Sequence, residues 1–285
     1  MGQFETPGRK RDEKVLIQSE VESVNYNASS KRRGKKSKKE AKVDTFDSPV
    51  FSVRYKDHSI ELSEDRLEAV GNKGWSTVLI SHGTNEGSWY FEIKILEPIA
   101  INHFFGYSKY FKLNKNPNVR IGWSCRYSRY DIPVGSTTHS YSLCKRSLSV
   151  FNKGIRNMRI SGGCEVNTKK IIPGDVLGCL INLSGMPYSL DDPRNSPQLH
   201  PYLELGMLCD PDKPPKEIID PESYIKFYLN GKCLGSYRSL AAGFYHPTIS
   251  LYMGSRVLIN MGPDFWYPIE EKHRAAFYLE RPEVR

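Results

Sequence analysis

The residues with the plainest chemistry lie near the start of the chain. Lys31, Arg32, Arg33, Lys35, Lys36, Lys38, Lys39 and Lys42 are interrupted only by Gly34, Ser37, Glu40 and Ala41, which gives +7 of the chain's formal +9. Such a run attracts polyanions, and because each neutralised phosphate releases a counterion, binding falls steeply with salt. Lys31, Arg32, Arg33, Lys35, Lys36, Lys38 and Lys39 are therefore candidate nucleic-acid contacts, and the run also fits a nuclear import signal. A membrane is a second reading. Met1-Gly2-Gln3-Phe4-Glu5-Thr6 matches the N-myristoylation pattern, and an acyl chain with a polybasic run anchors stably where the acyl chain alone does not. A solubilising tail with no partner is the third.

Catalytic and metal chemistry find no comparable pattern. There is no G-x-S-x-G, no H-E-x-x-H, no phosphate loop and no AdoMet signature. His82 falls in a predicted turn and His139 precedes Ser140-Tyr141-Ser142, but no spacing selects a Ser–His pair, and both read as hydrogen-bonded loop residues. Cys125, Cys144, Cys164, Cys179, Cys209 and Cys233 form no C-x-x-C pair, so neither a metal site nor a cofactor is expected. With no signal peptide recognisable, they read as free thiols of an intracellular chain. Asn182-Leu183-Ser184 matches a glycosylation acceptor but falls at a strand end. No apolar run reaches the ~18 residues of a membrane helix. The expectation is a binding protein rather than an enzyme.

The elements that position these residues are short. The first 46 residues are polar and aperiodic, a disordered basic tail. A folded domain is expected over 47–270, with a short tail over 271–285. Trp89-Tyr90-Phe91-Glu92-Ile93-Lys94-Ile95-Leu96 alternates with the period of a half-buried strand. Further strands are expected at Val50–Tyr55, Ile60–Leu62, Arg66–Val70, Ser76–Ser81, Val119–Ser124, Leu148–Phe151, Val176–Leu183, Tyr224–Leu229, Thr248–Tyr252 and Arg256–Met261, with Asn230-Gly231 a hairpin turn. Many short strands with Gly and Pro turns predict an all-β, two-sheet antiparallel sandwich with long loops. Alternation places Trp89, Phe91, Ile93, Ile121, Trp123, Val176, Gly178, Leu180, Phe227, Leu229, Ile249, Leu251, Val257 and Ile259 in its core. Three loops are long. Ala100–Asn118 carries Phe104, Phe105, Tyr107, Tyr110 and Phe111, which either form an adhesive patch or cap the sandwich edge. Gly154–Pro173 carries Arg156, Arg159, Lys169 and Lys170, and Ser184–Ser223 is rich in Pro and acidic residues.

Several stretches carry a resemblance. Gly87-Ser88-Trp89-Tyr90-Phe91-Glu92-Ile93, Arg120-Ile121-Gly122-Trp123-Ser124, Gly174-Asp175-Val176-Leu177-Gly178 and Ile225-Lys226-Phe227-Tyr228-Leu229-Asn230-Gly231 follow the order of SPRY (B30.2-like) domains, sandwiches that bind protein segments through their loops. Val70-Gly71-Asn72-Lys73-Gly74-Trp75-Ser76, Pro133-Val134-Gly135, Ser140-Tyr141-Ser142, Phe244-Tyr245-His246-Pro247 and Ile259-Asn260-Met261-Gly262-Pro263 narrow this. Over residues 55–268 the chain resembles the SPRY domain of the Ash-two/Bre-two subunit of COMPASS-type histone H3 lysine-4 methyltransferase complexes.

That resemblance implies a non-catalytic nuclear scaffold. Its SPRY domain would bind an acidic segment of a WD-repeat subunit of the retinoblastoma-binding type and help hold a SET-domain methyltransferase active, with nucleosomal DNA a further partner of the basic tail. It implies a partner-binding pocket with Arg120 as its cation and Trp75 and Pro133 as walls. An arginine fork can give a carboxylate or phosphate paired, charge-assisted hydrogen bonds, and an indole and a proline shield them from water. Ser136 stands where the family has an aromatic, and Leu143-Cys144 fills the space of an expected second arginine. Tyr141, Lys145 and Arg146 complete the candidate set. The helix that docks a Dpy-thirty-type dimer is not evident, since Ala275-Ala276-Phe277-Tyr278-Leu279 is too short and Pro282 stops it. The alternative is a SPRY adaptor tethered to a membrane by an acylated Gly2 and the polybasic run.

Overall fold

In a computed structural model of the chain, the structure describes residues 47–100, 116–126, 128–157, 170–188 and 217–282. The basic run, the Met1–Thr6 pattern and the aromatics Phe104 to Phe111 lie outside these residues, as do Cys164, Cys209, Arg159 and Lys169.

The expected two-sheet sandwich is what forms. One sheet has the order β1 (Phe51–Lys56), β4 (Ser76–Ile80), β13 (His246–Tyr252), β6 (Asn118–Ser124), β7 (Ser140–Cys144), β8 (Ser149–Asn152) and β9 (Ile155–Asn157). The other runs β12 (Lys232–Ala241), β11 (Ile219–Leu229), β10 (Val176–Ser184), β5 (Glu86–Leu96), β14 (Arg256–Asn260), β3 (Glu68–Gly71) and β2 (Ile60–Leu62). Every pairing along these two paths is antiparallel. A short strand, β15 (Arg274–Ala275), adds to β5 in parallel at Trp89 and Tyr90.

Alternation explains the inner faces. Trp89, Phe91, Ile93 and Ile95 of β5 meet Val119, Ile121 and Trp123 of β6 across one continuous core, where Phe91 and Trp123 pack edge-to-face at 5.5 Å. The two sheets bury this face because each apolar side chain removed from water contributes roughly 1.5–3 kcal/mol. Asn230-Gly231 turns β11 into β12 with positive φ at both residues, as a two-residue hairpin requires.

The phase of β10 differs from the expectation. Leu177, Cys179, Ile181 and Leu183 face the core, in register with Ile93, Phe91, Trp89 and Gly87 of β5. Val176, Gly178 and Leu180 lie on the opposite face, opposite Lys94, Glu92 and Tyr90. Both faces of this strand are covered, so its apolar run carries no alternation from which the phase could be read. The outer cover is the stretch after β14. Phe265 and Ile269 pack on a second cluster of Tyr90, Leu180 and Tyr228. The fully buried carboxylate of Glu92 anchors that stretch by accepting the Trp266 and Tyr267 amides at 2.8 and 3.0 Å. Burial raises this carboxyl above its ordinary value against the lowering effect of the hydrogen bonds. Gly178 is needed under the cover, since a Cβ there would lie 2.1 Å from the Tyr90 phenol oxygen.

Two further expectations are corrected. The region from 271, expected to be a tail, packs on the sandwich as far as Glu280. Beyond β15, a 3-10 turn over Ala276–Tyr278 buries Ala276 and Leu279, and the Gly83 amide donates to the Glu280 carbonyl. The loop expected to run to Ser223 ends earlier, because β11 begins at Ile219, with an irregular register from Asp220 to Tyr224 around Pro221.

Candidate functional site

The outer face of the seven-stranded sheet is built of small polar residues. Where β6 turns Val119, Ile121 and Trp123 inward, it turns Arg120 and Gly122 outward. Neighbouring strands add Thr77, Ser142 and Ser250. Gly122 lets β7 approach closely, since a Cβ there would sit 1.8 Å from the Tyr141 carbonyl oxygen.

These hydroxyls hold a strap, residues 128–137, flat across the face. Thr77 donates to the Ile132 carbonyl at 2.6 Å and Ser142 to the Val134 carbonyl at 2.7 Å. The Val134 amide donates to Ser250 at 2.7 Å and the Gly135 amide to Ser140 at 2.5 Å. The void beneath, lined by Thr77, Leu79, Ser124 and Ile132 among others, holds about 10 Å³, room for about one water. This face offers a surface, not a small-molecule chamber.

Arg120 stands at the edge of the strap. Its Nη1 donates to the Val134 carbonyl at 3.1 Å. The guanidinium carbon lies 3.8 Å from the centre of the Phe151 ring and 5.2 Å from that of Trp75, which in turn packs against Tyr252 at 5.2 Å. Contacts of this kind favour a cation by roughly 0.5–2 kcal/mol each. Nε is buried without a hydrogen-bond partner, and no carboxylate pairs with Arg120 among the described residues. Burial holds the guanidinium below its ordinary value, and the Cys144 thiol directly across the β6–β7 pair pulls it back up. Burial also raises that thiol, but hydrogen bonds from Ser147, Asn118 and Arg146 outweigh it and leave the thiol below its ordinary value. A half-buried cation without an anion is an expensive arrangement for a domain by itself.

The structure brings together some of the residues expected in a pocket and separates others. Arg120 and Trp75 are in contact through the cation–ring geometry. Pro133 and Ser136 lie in the strap, where the Ser136 hydroxyl closes the turn by donating to the Pro133 carbonyl at 2.6 Å. Tyr141 is excluded: it faces inward, is 2% exposed, and its phenol oxygen accepts the Ala241 amide. Strand parity is the reason, because Tyr141 pairs with Trp123, a core residue. Lys145 lies past the end of β7, where burial holds its ammonium below its ordinary value, Lys170 adds to that and Asp175 and Glu97 oppose it. Arg146 is exposed in the following turn. Phe151 escaped the sequence reading, although its place on the outward phase of β8, beside Val150 facing in, is a signal that could have found it.

The two histidines have local roles. His82 is buried with Nδ1 2.8 Å from the Ser81 hydroxyl. His139 is 3% exposed, and burial lowers its imidazole to about 4.

No family model matches the chain. Among curated proteins it is 28% identical over 233 residues to the Set1/Ash2 histone methyltransferase complex subunit ash-2 of Caenorhabditis elegans, 76% of this chain and 37% of that protein. It is 29% identical over 237 residues to the corresponding subunit ASH2 of Drosophila melanogaster, 79% of this chain and 38% of that one. To the Set1 complex component ash2 of Schizosaccharomyces pombe it is 26% identical over 265 residues, 76% of this chain and 37% of that protein. The chain thus resembles Ash2-type subunits over most of its own length, and it spans well under half of theirs. Among solved structures, a human SPRY domain and the SPRY domain of human HERC1 each align with 73% of the chain, at 16% and 14% identity, with TM-scores of 0.41 and 0.42 and coverage of 98% and 96% of those domains.

Proposed function

We propose that this chain is a non-catalytic scaffold subunit of a histone H3 lysine-4 methyltransferase complex. Its sandwich binds an acidic segment of a WD-repeat partner and helps hold a SET-domain enzyme in its active form. The observation that carries the reading is Arg120: a half-buried guanidinium beside Trp75 and Phe151, with an unpartnered Nε and no carboxylate of its own. A carboxylate arriving there gains charge-assisted hydrogen bonds on a fork whose desolvation is already partly met. Trp75, Pro133 and Ser136 line the approach, and Lys145 and Arg146 add positive charge at a distance. The names of the curated relatives support the choice of complex. Under this reading residues 1–46 are a basic tail that directs the chain to the nucleus and contacts DNA through Lys31 to Lys39.

The test is to purify the tagged chain from its own cells and identify what accompanies it. A WD-repeat subunit with a SET-domain protein is the expected company, and Arg120→Glu should lose the WD-repeat subunit while the variant stays folded. The second reading, an adaptor tethered through Gly2, rests on the match of Met1–Thr6 to the acylation pattern. It predicts a myristoylated N-terminal peptide by mass spectrometry and membrane proteins in the same purification.

A further inference from the structure

We propose that Arg156 is the second cation of the Arg120 site, and that the two together select an extended segment with carboxylates at alternate positions. This deepens the reading of Arg120 as an anion site and rests on it.

Arg120 by itself shows a ligand only part of its guanidinium. Nε is buried, and Nη1 is on the Val134 carbonyl. A second arginine reaches the same face from the sheet edge. Arg156 of β9 stands directly opposite Phe151 of β8. An exposed arginine ordinarily extends its charged end into water. This one lies back across β8 instead, with Nε donating to the Ser149 hydroxyl at 2.9 Å. That bond occupies Nε and leaves the two terminal nitrogens, and no carboxylate pairs with them among the described residues. The neighbouring cation, Lys153, is already paired with Glu217 at 2.7 Å.

The register sets how far apart the two cations act. Arg120, Cys144 and Ser149 form one row across β6, β7 and β8, and Ser142, Phe151 and Arg156 lie in the next row on the same face. Arg120 leans from the first row to the second, where its guanidinium carbon lies 3.8 Å from the centre of the Phe151 ring. Arg156 leans the other way, onto Ser149. The two guanidinium groups thus rest against alternate residues of one strand, whose positions are about 7 Å apart. Alternate side chains of an extended segment laid along β8 have the same spacing. Carboxylates at positions i and i+2 then meet one cation each, whereas adjacent ones point to opposite faces. Because Arg156 is exposed, its pair adds a modest factor to the contact that Arg120 makes.

The experiment uses the full chain labelled with ¹⁵N-arginine. The two Nε–H resonances are identified by their absence from Arg120→Met and Arg156→Gln. The probes are two capped pentapeptides, Thr-Glu-Thr-Glu-Thr and Thr-Glu-Glu-Thr-Thr, titrated at pH 7.4 and constant ionic strength. They share composition and charge, so attraction to the basic run does not separate them. The alternate peptide should shift both resonances with one midpoint, about fivefold lower than that of the adjacent isomer. In Arg156→Gln the two peptides should shift Arg120 at the same midpoint, and if that variant does not fold, the unmodified chain decides alone. Equal midpoints in the unmodified chain, a shift at Arg120 with none at Arg156, or a gap that survives Arg156→Gln overturns the role of Arg156 and leaves the Arg120 site standing. No shift at Arg120 with either peptide overturns both.

Discussion

Replacing Arg120 with methionine separates a binding residue from a structural one. The change removes one charge-assisted hydrogen bond to the Val134 carbonyl, worth roughly 1.5–3 kcal/mol. It also removes the cation's electrostatic attraction to the Phe151 and Trp75 rings, worth roughly 0.5–1 kcal/mol each. Against these stands the cost of holding a cation half out of water with no anion, several kcal/mol per ion. The Val134 carbonyl is not orphaned, because Ser142 still donates to it at 2.7 Å. The methionine stem keeps the contact with the two rings. The terms cancel, and Arg120→Met should unfold in urea within about 1 kcal/mol of the unmodified chain. Binding of the acidic partner should weaken by about 2–5 kcal/mol, the cost of truncating one member of a desolvated charge pair. A stability loss above about 2 kcal/mol, or unchanged partner affinity, would refute the assignment of Arg120 as a cation held ready for an outside anion.

Three other outcomes follow from particular contacts. Burial holds His139 at about 4 in the folded chain against an ordinary 6.5, so the unfolded chain binds a proton between those values that the folded chain does not. Stability is therefore intact above pH 6.5 and falls toward pH 4 by up to about 3 kcal/mol. His139→Gln should flatten urea midpoints across that window, and an unaltered slope would place the acid sensitivity elsewhere. Gly178→Ala should cost about 1–3 kcal/mol by overpacking against the Tyr90 phenol. The penalty should shrink in a Tyr90→Phe background, where the atom at 2.1 Å is gone and a ring carbon at 2.7 Å remains. An equal penalty in both backgrounds would mean that the outer cover, not the phenol, is what resists the methyl group. Deleting residues 31–42 should remove most DNA binding and its salt dependence in a gel-shift series; retention of both would move the polyanion site to the sandwich.

Much of the fold was legible because the core face of most strands alternates against a polar partner face. β5, β6, β13 and β14 present Trp89, Phe91, Ile121, Trp123, Ile249, Leu251, Val257 and Ile259 inward as their period demands. The failures share a cause. Where a second layer covers a strand, the polar half of the pattern disappears. β10 reads apolar on both faces because Tyr90, Tyr228 and Phe265 cover Leu180 from outside. β7 was read as a motif rather than a strand, since its outward Ser140 and Ser142 lie beneath the strap and its pattern carries three small polar or thiol side chains. The cover itself, Phe265 to Ile269, is a run of aromatic and apolar residues that could have signalled packing past β14.

The candidate site was legible in part. Arg120 and Trp75 come together from positions 45 residues apart in sequence, and the resemblance to Ash-two-type subunits, not any spacing, linked them. Tyr141 was drawn in by proximity in sequence to Ser140 and Ser142, but strand parity sends it to the core. Lys145 and Arg146 were expected to stand in for a missing cation. The chain places Cys144 beside Arg120 instead and turns the two basic residues past the strand end.

The most direct measurement is methylation of histone H3 lysine-4 by the SET-domain and WD-repeat subunits that the proposal expects to accompany the chain, assayed without it, with it, and with Arg120→Glu. Stimulation by the unmodified chain and none by Arg120→Glu is the predicted result. Absence of stimulation would contradict the scaffold reading, and equal stimulation by Arg120→Glu would contradict the site.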